Sequence, residues 1–525
     1  MSFRWRRTAV WGAAGAAAAV LLFLAYLYQS RQVAAGSDGA SIALQGWDLL
    51  HGNLLLHGWT VSDVSFYLTE LPQYAVVEAV RGLSPDVVHV AGAITYTLVL
   101  LLAAGLAAAG ASGRATLARL LVVALVMLAP AAGADYTLLM SPDHYGSTVP
   151  VLLAWLAIDR LPARWYRPVL VALLLAWGQA SDSLILVTGV APIVVAAGTR
   201  AGVRFWRRDG GAAETWLVAA AIISTGLARV VTTVIKHSGG YGEQPVGTAF
   251  SGLGALPHHL VLTGQGLLTL FGADFFSPQT APDQAFAALH LIGVILVAVA
   301  LVLALVKLGR GSDLLVPGLA VAIVLNLLTY VPSLFVQDLP SSREIAAVLP
   351  FGAILAARVF VSKTPRASRV ALAALAAGVL VCAAELGYQA AQPSQPGQNQ
   401  SLANWLVAHQ LTAGLAPDYW MANATTVDSG GRVTVRQVAQ SGTTLYFPEP
   451  RELKSSWYDP DHNDPRFVAV GLNRPNAAAY LAAATHTFGP PAETLHPAGY
   501  TVLVWRFNLL TRLAGPQPGP QPGPG

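Results

Sequence analysis

Long apolar runs alternate with short polar stretches over the first three quarters of the chain. We interpret eleven of these runs as membrane spans, and all but one approach the length of about 20 residues that a helix needs to cross the hydrocarbon core of a bilayer. They are Thr8–Tyr28, Val88–Gly110, Leu117–Ala132, Asp143–Ile158, Val169–Trp177, Leu184–Gly198, Trp216–Ile235, Ala285–Val306, Leu314–Val336, Ile345–Val361 and Val370–Leu386. The pattern predicts a polytopic α-helical membrane protein with about eleven transmembrane helices. The fifth run is short, and with the sixth it could instead form a re-entrant hairpin.

The first run follows a basic segment, as the apolar part of a signal peptide does. It is too long for a signal peptide, and no clear A-x-A cleavage site follows it. We therefore expect it to be retained as the first transmembrane helix.

Lysine and arginine are divided unequally between the two sides of the predicted membrane domain. If the N-terminus is cytoplasmic, the inner loops hold seventeen of these residues and the outer loops before the C-terminal tail hold four. Inner loops of membrane proteins are enriched in lysine and arginine. We therefore predict a multi-pass protein of the bacterial plasma membrane, with the N-terminus inside, the C-terminus outside and large outer loops at 29–87 and 237–284.

Beyond the transmembrane domain, 1–388, the pattern becomes that of a domain in water. The segment 389–400 is rich in proline and glutamine, as linkers are. Residues 401–514 combine helix-like segments with the strand-like stretches GRVTVRQVA, RFVAVGL and YTVLVWRF. This predicts a small extracytoplasmic α/β domain with Trp405, Trp420 and Trp505 in its core. The tail 515–525, GPQPGPQPGPG, is of low complexity and is predicted to be disordered.

Composition agrees with a membrane location and excludes some other classes. Of 525 residues, 54% are hydrophobic and only 11% are charged, whereas about a quarter of an ordinary soluble domain is charged. The net charge of +4 does not suggest a nucleic-acid partner. Cys382 is the only cysteine, so the chain cannot form an internal disulfide.

Polar residues that could bind a ligand or take part in catalysis are concentrated in the predicted outer loops, whereas the inner loops are dominated by arginine. The outer set is Asp48, Asp63, Tyr67, Glu70, Tyr74, Asp143, His144, Asp182, Lys236, His258 and Arg343. Taken singly, a loop aspartate is usually a helix cap and a histidine at a membrane edge is usually an interfacial anchor. The case for function is therefore collective. Arg229 lies within the seventh run, where a charge needs a partner or an anionic ligand unless it reaches the outer headgroups.

The first outer loop contains TELPQYAVVEAVRGL, in which Glu70 is followed closely by Tyr74 and Ala75. This segment and the predicted topology resemble the GT-C glycosyltransferases of the protein mannosyltransferase and aminoarabinose transferase type. In that class an essential carboxylate lies in a long first outer loop, in many members closely followed by Tyr-Ala. Thr69-Glu70 stands where the class has a paired Asp-Glu, and the spacing differs by about one residue. The heavy use of alanine, arginine and glycine is typical of a high-GC actinobacterium.

The resemblance implies transfer of a sugar from a polyprenyl-phosphate-linked donor to a glycan, lipid or protein acceptor on the outer face of the membrane. It implies that Glu70 or Asp63 is the catalytic base. It further implies substrate binding by Asp48, Tyr67, Tyr74, Asp143, His144, Asp182 and His258, and phosphate binding by Arg343, Arg229 and Lys236. The partners are then the donor, the acceptor and membrane lipids. We identify no metal-ligand motif and no certain cofactor, although a divalent metal ion is compatible with this chemistry.

Two other functions stay open. The missing Asp-Glu pair favours a catalytically inactive GT-C-like scaffold for envelope assembly. A lipid or solute transporter would need ionisable residues along a path at mid-membrane. The apolar runs hold few such residues, and most lie near their ends: Arg229, His290, Arg358 and Glu385.

Overall fold

The structure, a computed structural model, describes residues 2–244, 249–277, 280–306, 313–361 and 368–518. The predicted disordered tail lies outside the described residues from 519 onward, as do the basic inner-loop segments 307–312 and 362–367. The α-helices in the described ranges are α1 (Ser2–Ser30), α2 (Ser37–Leu50), α3 (Leu71–Arg81), α4 (Asp86–Ala108), α5 (Arg114–Met127), α6 (Asp135–Leu138), α7 (His144–Arg160), α8 (Tyr166–Gln179), α9 (Ala191–Trp206), α10 (Ala212–His237), α11 (Leu256–Leu270), α12 (Ala281–Val306), α13 (Leu315–Tyr330), α14 (Val348–Phe360), α15 (Arg369–Ala390), α16 (Gln400–Ala408), α17 (Tyr419–Asp428) and α18 (Ala477–Phe488).

The strands in the same ranges are short. They are β1 (Trp59–Val61), β2 (Gly242–Glu243), β3 (Ala413–Ala416), β4 (Thr434–Gln437), β5 (Ala439–Ser441), β6 (Thr444–Tyr446), β7 (Leu453–Lys454), β8 (Phe467–Gly471), β9 (Glu493–Leu495) and β10 (Tyr500–Val504).

Each of the eleven apolar runs contains helix over most of its length. Within the described ranges, six helical segments are long and apolar enough to cross a membrane, or seven if the bent pair α5–α6 is one span. That pair bends by 76°, and Pro130 lies in the break between its helices. Helices α13 and α14 are apolar but only 16 and 13 residues long. The chain is a multi-pass helical membrane protein, whereas the count of eleven spans and their orientation stay predictions.

The chain forms two compact units, each assembled from separate segments. The first comprises Met1–Val33, Gly92–Val230 and Gly247–Ser394. The second comprises Ala34–Ala91, Val231–Val246 and Gln395–Gly525. The segments 34–91 and 231–246 thus belong to the same unit as the C-terminal residues, and they include most of the predicted outer loop 29–87 and the first residues of the loop 237–284. The predicted domain boundaries at 388, 400 and 514 stay predictions.

In the first unit, a buried arginine on α14 is held by protein groups. Arg358 donates to both carboxylate oxygens of Asp159 at 2.9 and 2.8 Å, and to the carbonyl oxygen of Leu106 at 3.0 and 2.6 Å. A buried charge is tolerated when it is paired and its donors are satisfied. Arg358 is therefore explained by packing and does not by itself indicate a transport path.

The C-terminal part of the second unit is a five-stranded sheet in the order β4-β3-β8-β10-β9. Strands β4, β3 and β8 are parallel, while β10 pairs antiparallel with both β8 and β9. Successive strand residues point to opposite faces, so Phe467 packs with residues of α16 and α17, and Val468 packs with residues of α18. The predicted strands at GRVTVRQVA, RFVAVGL and YTVLVWRF are thus present in a sheet covered by helices on both faces.

Two of the three tryptophans expected in this core contribute to it. Trp505 is buried, and Trp405 is partly buried against the face that carries Phe467. The expectation for Trp420 was wrong, because this side chain is 53% exposed. It is the second residue of α17, and the apolar face of that helix is formed by later residues.

Candidate functional site

In the first unit, a histidine is held between two carboxylates. His144 is the first residue of α7. Its Nδ1 lies 2.8 Å from Asp182 Oδ2, and its Nε2 lies 3.1 Å from Glu344 Oε1. Both ring nitrogens are therefore engaged, and the imidazole cannot rotate without breaking two hydrogen bonds.

The local folding of two loops sets the positions of these groups. Asp143 caps α7 by accepting a hydrogen bond from the backbone N–H of His144 at 2.7 Å. Asp182 accepts a hydrogen bond from the N–H of Leu184 through Oδ1 at 2.8 Å, which leaves Oδ2 to face His144. Burial favours the neutral form of Asp182, but His144 and the hydrogen bonds that Asp182 accepts hold its pKa below the ordinary value. Asp182 thus combines a local backbone hydrogen bond with the contact to His144.

Arg343 lies at the edge of the same group, in the 3₁₀ helix Pro340–Ile345. Its Nε is 4.0 Å from Glu344 Oε1, and 41% of its side chain is exposed. It also interacts electrostatically with Asp143. The nearby Asp338 accepts hydrogen bonds from the N–H and the hydroxyl of Ser341.

Four of the predicted site residues, Asp143, His144, Asp182 and Arg343, therefore converge, although they come from three separate loops. We name them, together with Glu344, the His144 cluster. Sequence reasoning did not select Glu344 as a site residue. The sequence signal for Glu344 was its position next to Arg343, in the same turn.

The two candidate bases of the first loop belong to the second unit and have different environments. Glu70 precedes α3 and is only 1% exposed, and its carbonyl oxygen accepts hydrogen bonds from the N–H groups of Gln73 and Tyr74. Asp63 is exposed to solvent. The structure therefore distinguishes a water-excluded carboxyl group from a solvated one.

Asp48 is fully engaged by protein donors within the second unit. Its Oδ2 accepts hydrogen bonds from Asn53 Nδ2 at 2.6 Å and from the indole N–H of Trp59 at 2.8 Å. Its Oδ1 lies 2.9 Å from Lys454 Nζ. These contacts give Asp48 a structural role. The sequence analysis predicted only that Asp48 binds substrate.

The two tyrosines of the first loop are also packed. Tyr67 donates its hydroxyl to the carbonyl oxygen of Leu54 at 2.6 Å, and its ring lies 5.1 Å from that of Tyr241. Tyr74 is buried, and its Cβ lies close to Gly46 of α2. The segment that precedes β2 therefore packs against the first loop through Tyr241.

Glu78 is a buried carboxyl that sequence reasoning missed. It is 2% exposed, and burial raises its pKa to about 9. A Cβ placed on Gly46 would lie 2.8 Å from Glu78 Oε2, so α2 approaches this carboxyl closely. The signal was present in TELPQYAVVEAVRGL, because residues 70, 74 and 78 recur at the four-residue spacing that puts them on one helix face.

The remaining predicted residues are not drawn into the His144 cluster. Lys236 pairs with Glu243, with Nζ 2.8 Å from Oε2. His258 is exposed, whereas its neighbour His259 is buried and contacts the carbonyl oxygen of Val331 at 2.9 Å. Arg229 is at an exposed position on α10.

Comparison with known proteins gave matches among solved structures only. No family model matches this chain, and no curated protein matches it. The apo oligosaccharyltransferase of Archaeoglobus fulgidus is similar with 11% identity and a TM-score of 0.43, over 89% of this chain and 71% of that one. ArnT from Cupriavidus metallidurans, bound to undecaprenyl phosphate, is similar with 14% identity and a TM-score of 0.39, over 97% of this chain and 99% of that one.

Proposed function

We propose that this protein is a membrane glycosyltransferase that moves a sugar from a polyprenyl-phosphate-linked donor to an acceptor on the outer face of the membrane. The observation that carries the proposal is the convergence of Asp143, His144, Asp182 and Arg343. Carboxylates held in fixed orientations accept hydrogen bonds from sugar hydroxyls, and a partly exposed guanidinium binds phosphate oxygens. The His144 cluster offers both kinds of group at one place.

In the proposed reaction, the acceptor oxygen attacks the anomeric carbon of the donor sugar. The bond between that carbon and the phosphate oxygen breaks, and the polyprenyl phosphate leaves with the bonding electrons. A carboxylate takes the acceptor proton, and a cation stabilises the leaving oxygen. We assign the cation to Arg343. The resemblance to the GT-C class assigns the proton acceptor to the first outer loop.

Between the two candidates in that loop, burial favours Glu70. A base exposed to solvent activates water as readily as an acceptor hydroxyl, so it would promote hydrolysis of the donor. Glu70 is 1% exposed, whereas Asp63 is solvated. We therefore infer that Glu70 acts as the base and that Asp63 does not.

The test measures release of polyprenyl phosphate, the product shared by every sugar and acceptor. Purified protein in vesicles is supplied with a panel of synthetic undecaprenyl-phosphate sugars and membrane glycan extract. Glu70→Gln should lower the rate by about 10²–10⁴-fold, as expected for loss of a general base. Asp63→Asn is the matched control and should stay within about twofold of the wild type.

Two results would contradict this assignment. A normal rate in Glu70→Gln together with a large loss in Asp63→Asn would transfer the role of base to Asp63. Wild-type protein that binds the lipid phosphates, as detected by native mass spectrometry, but releases none from any donor would favour the inactive scaffold.

A further inference from the structure

A histidine, a cysteine and a glutamate meet inside the first unit, away from the His144 cluster. His290 lies on α12, while Cys382 and Glu385 lie three residues apart on one face of α15. All three are at most 2% exposed. One ligand atom from each lies within 4.8 Å of the other two, and His290 Nε2 is 2.8 Å from Glu385 Oε2.

The hydrogen bond between His290 and Glu385 alone would be a simple structural pair between two helices. It does not explain why a third potential metal ligand, the thiol of Cys382, lies beside the pair, where its Sγ is 3.8 Å from the carbonyl oxygen of Leu125.

The backbone also limits where a ligand could reach the imidazole ring. A Cβ on Gly272 would lie 2.7 Å from His290 Cγ and 2.8 Å from both Cδ2 and Nδ1, so the backbone at Gly272 covers the Cγ end of the ring. Nε2, at the opposite end, is the nitrogen that faces Glu385.

We propose that His290, Cys382 and Glu385 bind a zinc ion that links α12 to α15. Thiolate, imidazole and carboxylate together are a ligand set that suits zinc, whereas magnesium and calcium require mainly oxygen ligands. The ion replaces the proton shared by His290 and Glu385 and displaces the thiol proton of Cys382. Zn²⁺ with one thiolate, one carboxylate and a neutral imidazole has a net charge of zero, which suits a buried position. Three protein ligands leave a fourth coordination position for water or a backbone carbonyl.

The first measurement is the zinc content of the full-length protein, purified in detergent with an affinity tag that contains no histidine. We expect about one zinc per wild-type chain, and less than about a tenth of that in Cys382→Ala and in His290→Gln. His259→Gln is the matched control, since His259 is also buried in the first unit but lies outside this cluster. It should keep the wild-type content.

The second measurement needs no variant, so it stays decisive if the variants fold poorly. Zinc is exchanged for Co²⁺, and the absorption spectrum of the wild-type protein is recorded. Because Cys382 is the only cysteine in the chain, any thiolate-to-cobalt absorption band reports this site alone. Wild-type protein with no bound metal after growth in zinc and after reconstitution would overturn the proposal, as would bound cobalt without a thiolate band. Neither measurement uses a sugar donor, so the outcome is independent of the proposed transfer reaction.

Discussion

Glu78 and Glu452 are two of the buried carboxyl groups of the second unit. Burial raises the pKa of Glu78 to about 9. Burial, with the nearby charge of Asp38, raises the pKa of Glu452 to about 7, and Glu452 accepts a hydrogen bond from Gln45 at 3.2 Å. At neutral pH, Glu78 therefore holds its proton in the folded protein. It acts as a neutral polar side chain, although the sequence alone would assign it a charge.

This proton makes stability depend on pH. Unfolded glutamate ionises near pH 4.5, so between about pH 4.5 and pH 9 the folded state holds a proton that the unfolded state has lost. The free energy of unfolding should therefore fall as pH rises through this window, by up to about 1.4 kcal/mol per pH unit. Glu78→Gln removes this ionisation. The melting temperature of the variant minus that of the wild type should therefore increase between pH 5.5 and pH 8.5. Thermal unfolding in detergent across this range measures the effect.

The control for this series is Glu493→Gln, which changes an exposed glutamate in the same unit. Its melting temperature should follow that of the wild type at every pH. A difference between Glu78→Gln and the wild type that does not vary with pH would show that Glu78 is not protonated in the folded state.

At the scale of elements, some of the shortest strands join segments that are far apart in the sequence. Strand β1 pairs antiparallel with β7 and parallel with β2, and each pairing involves only two residues per strand. Asp48 reinforces this sheet because its carboxylate contacts both Trp59 of β1 and Lys454 of β7. The first loop is thereby fastened to the C-terminal residues.

We expect a measurable coupling between Asp48 and Lys454. In a double-mutant cycle with Asp48→Asn and Lys454→Met, the interaction free energy should be about 0.5–1.5 kcal/mol, because both side chains are largely buried. The exposed pair Asp464–Arg466 is the control and should give a coupling near zero. Equal coupling energies in the two pairs, measured by thermal unfolding, would mean that Asp48 does not fasten this sheet.

Sequence patterns predicted the elements whose stability is local and missed those that depend on distant partners. Apolar runs such as Ala285–Val306 become helices wherever they occur, because a bilayer leaves the backbone no other hydrogen-bond partners. Strand β8 was predictable because a central strand is apolar on both faces. In contrast, β2 is the dipeptide Gly242–Glu243, and nothing in its sequence indicates pairing with β1. The convergence of Asp182 with His144 was likewise invisible, since it depends on how α7 and the loop after α8 pack.

At the scale of the whole molecule, the apolar core around the five-stranded sheet is formed by residues of one continuous segment of the chain. Both apolar layers, one around Leu402 and Phe467 and the other around Val468 and Phe488, are formed within residues 402–513. We therefore expect a fragment of residues 395–515 to fold alone. Circular dichroism should detect helix and strand signals that are lost in one cooperative thermal transition.

A fragment carrying Val468→Asp is the matched control, since it puts a charge into the central strand and should abolish that transition. If the unaltered fragment gave no helix or strand signal, the core within 402–513 would be insufficient. Folding would then require the segments 34–91 and 231–246.

The second unit also has an order of assembly that follows from its three segments. A ribosome delivers the chain from the N-terminus, and β7 follows β1 by about 400 residues, or roughly 20–80 s at ~5–20 residues per second. During that interval β1 lacks its antiparallel partner β7, and Asp48 lacks its contact with Lys454. The segment 34–91, which carries Glu70, can therefore reach its final form only after the helices that precede residue 395 have been made, so its folding must follow the synthesis of most of the chain.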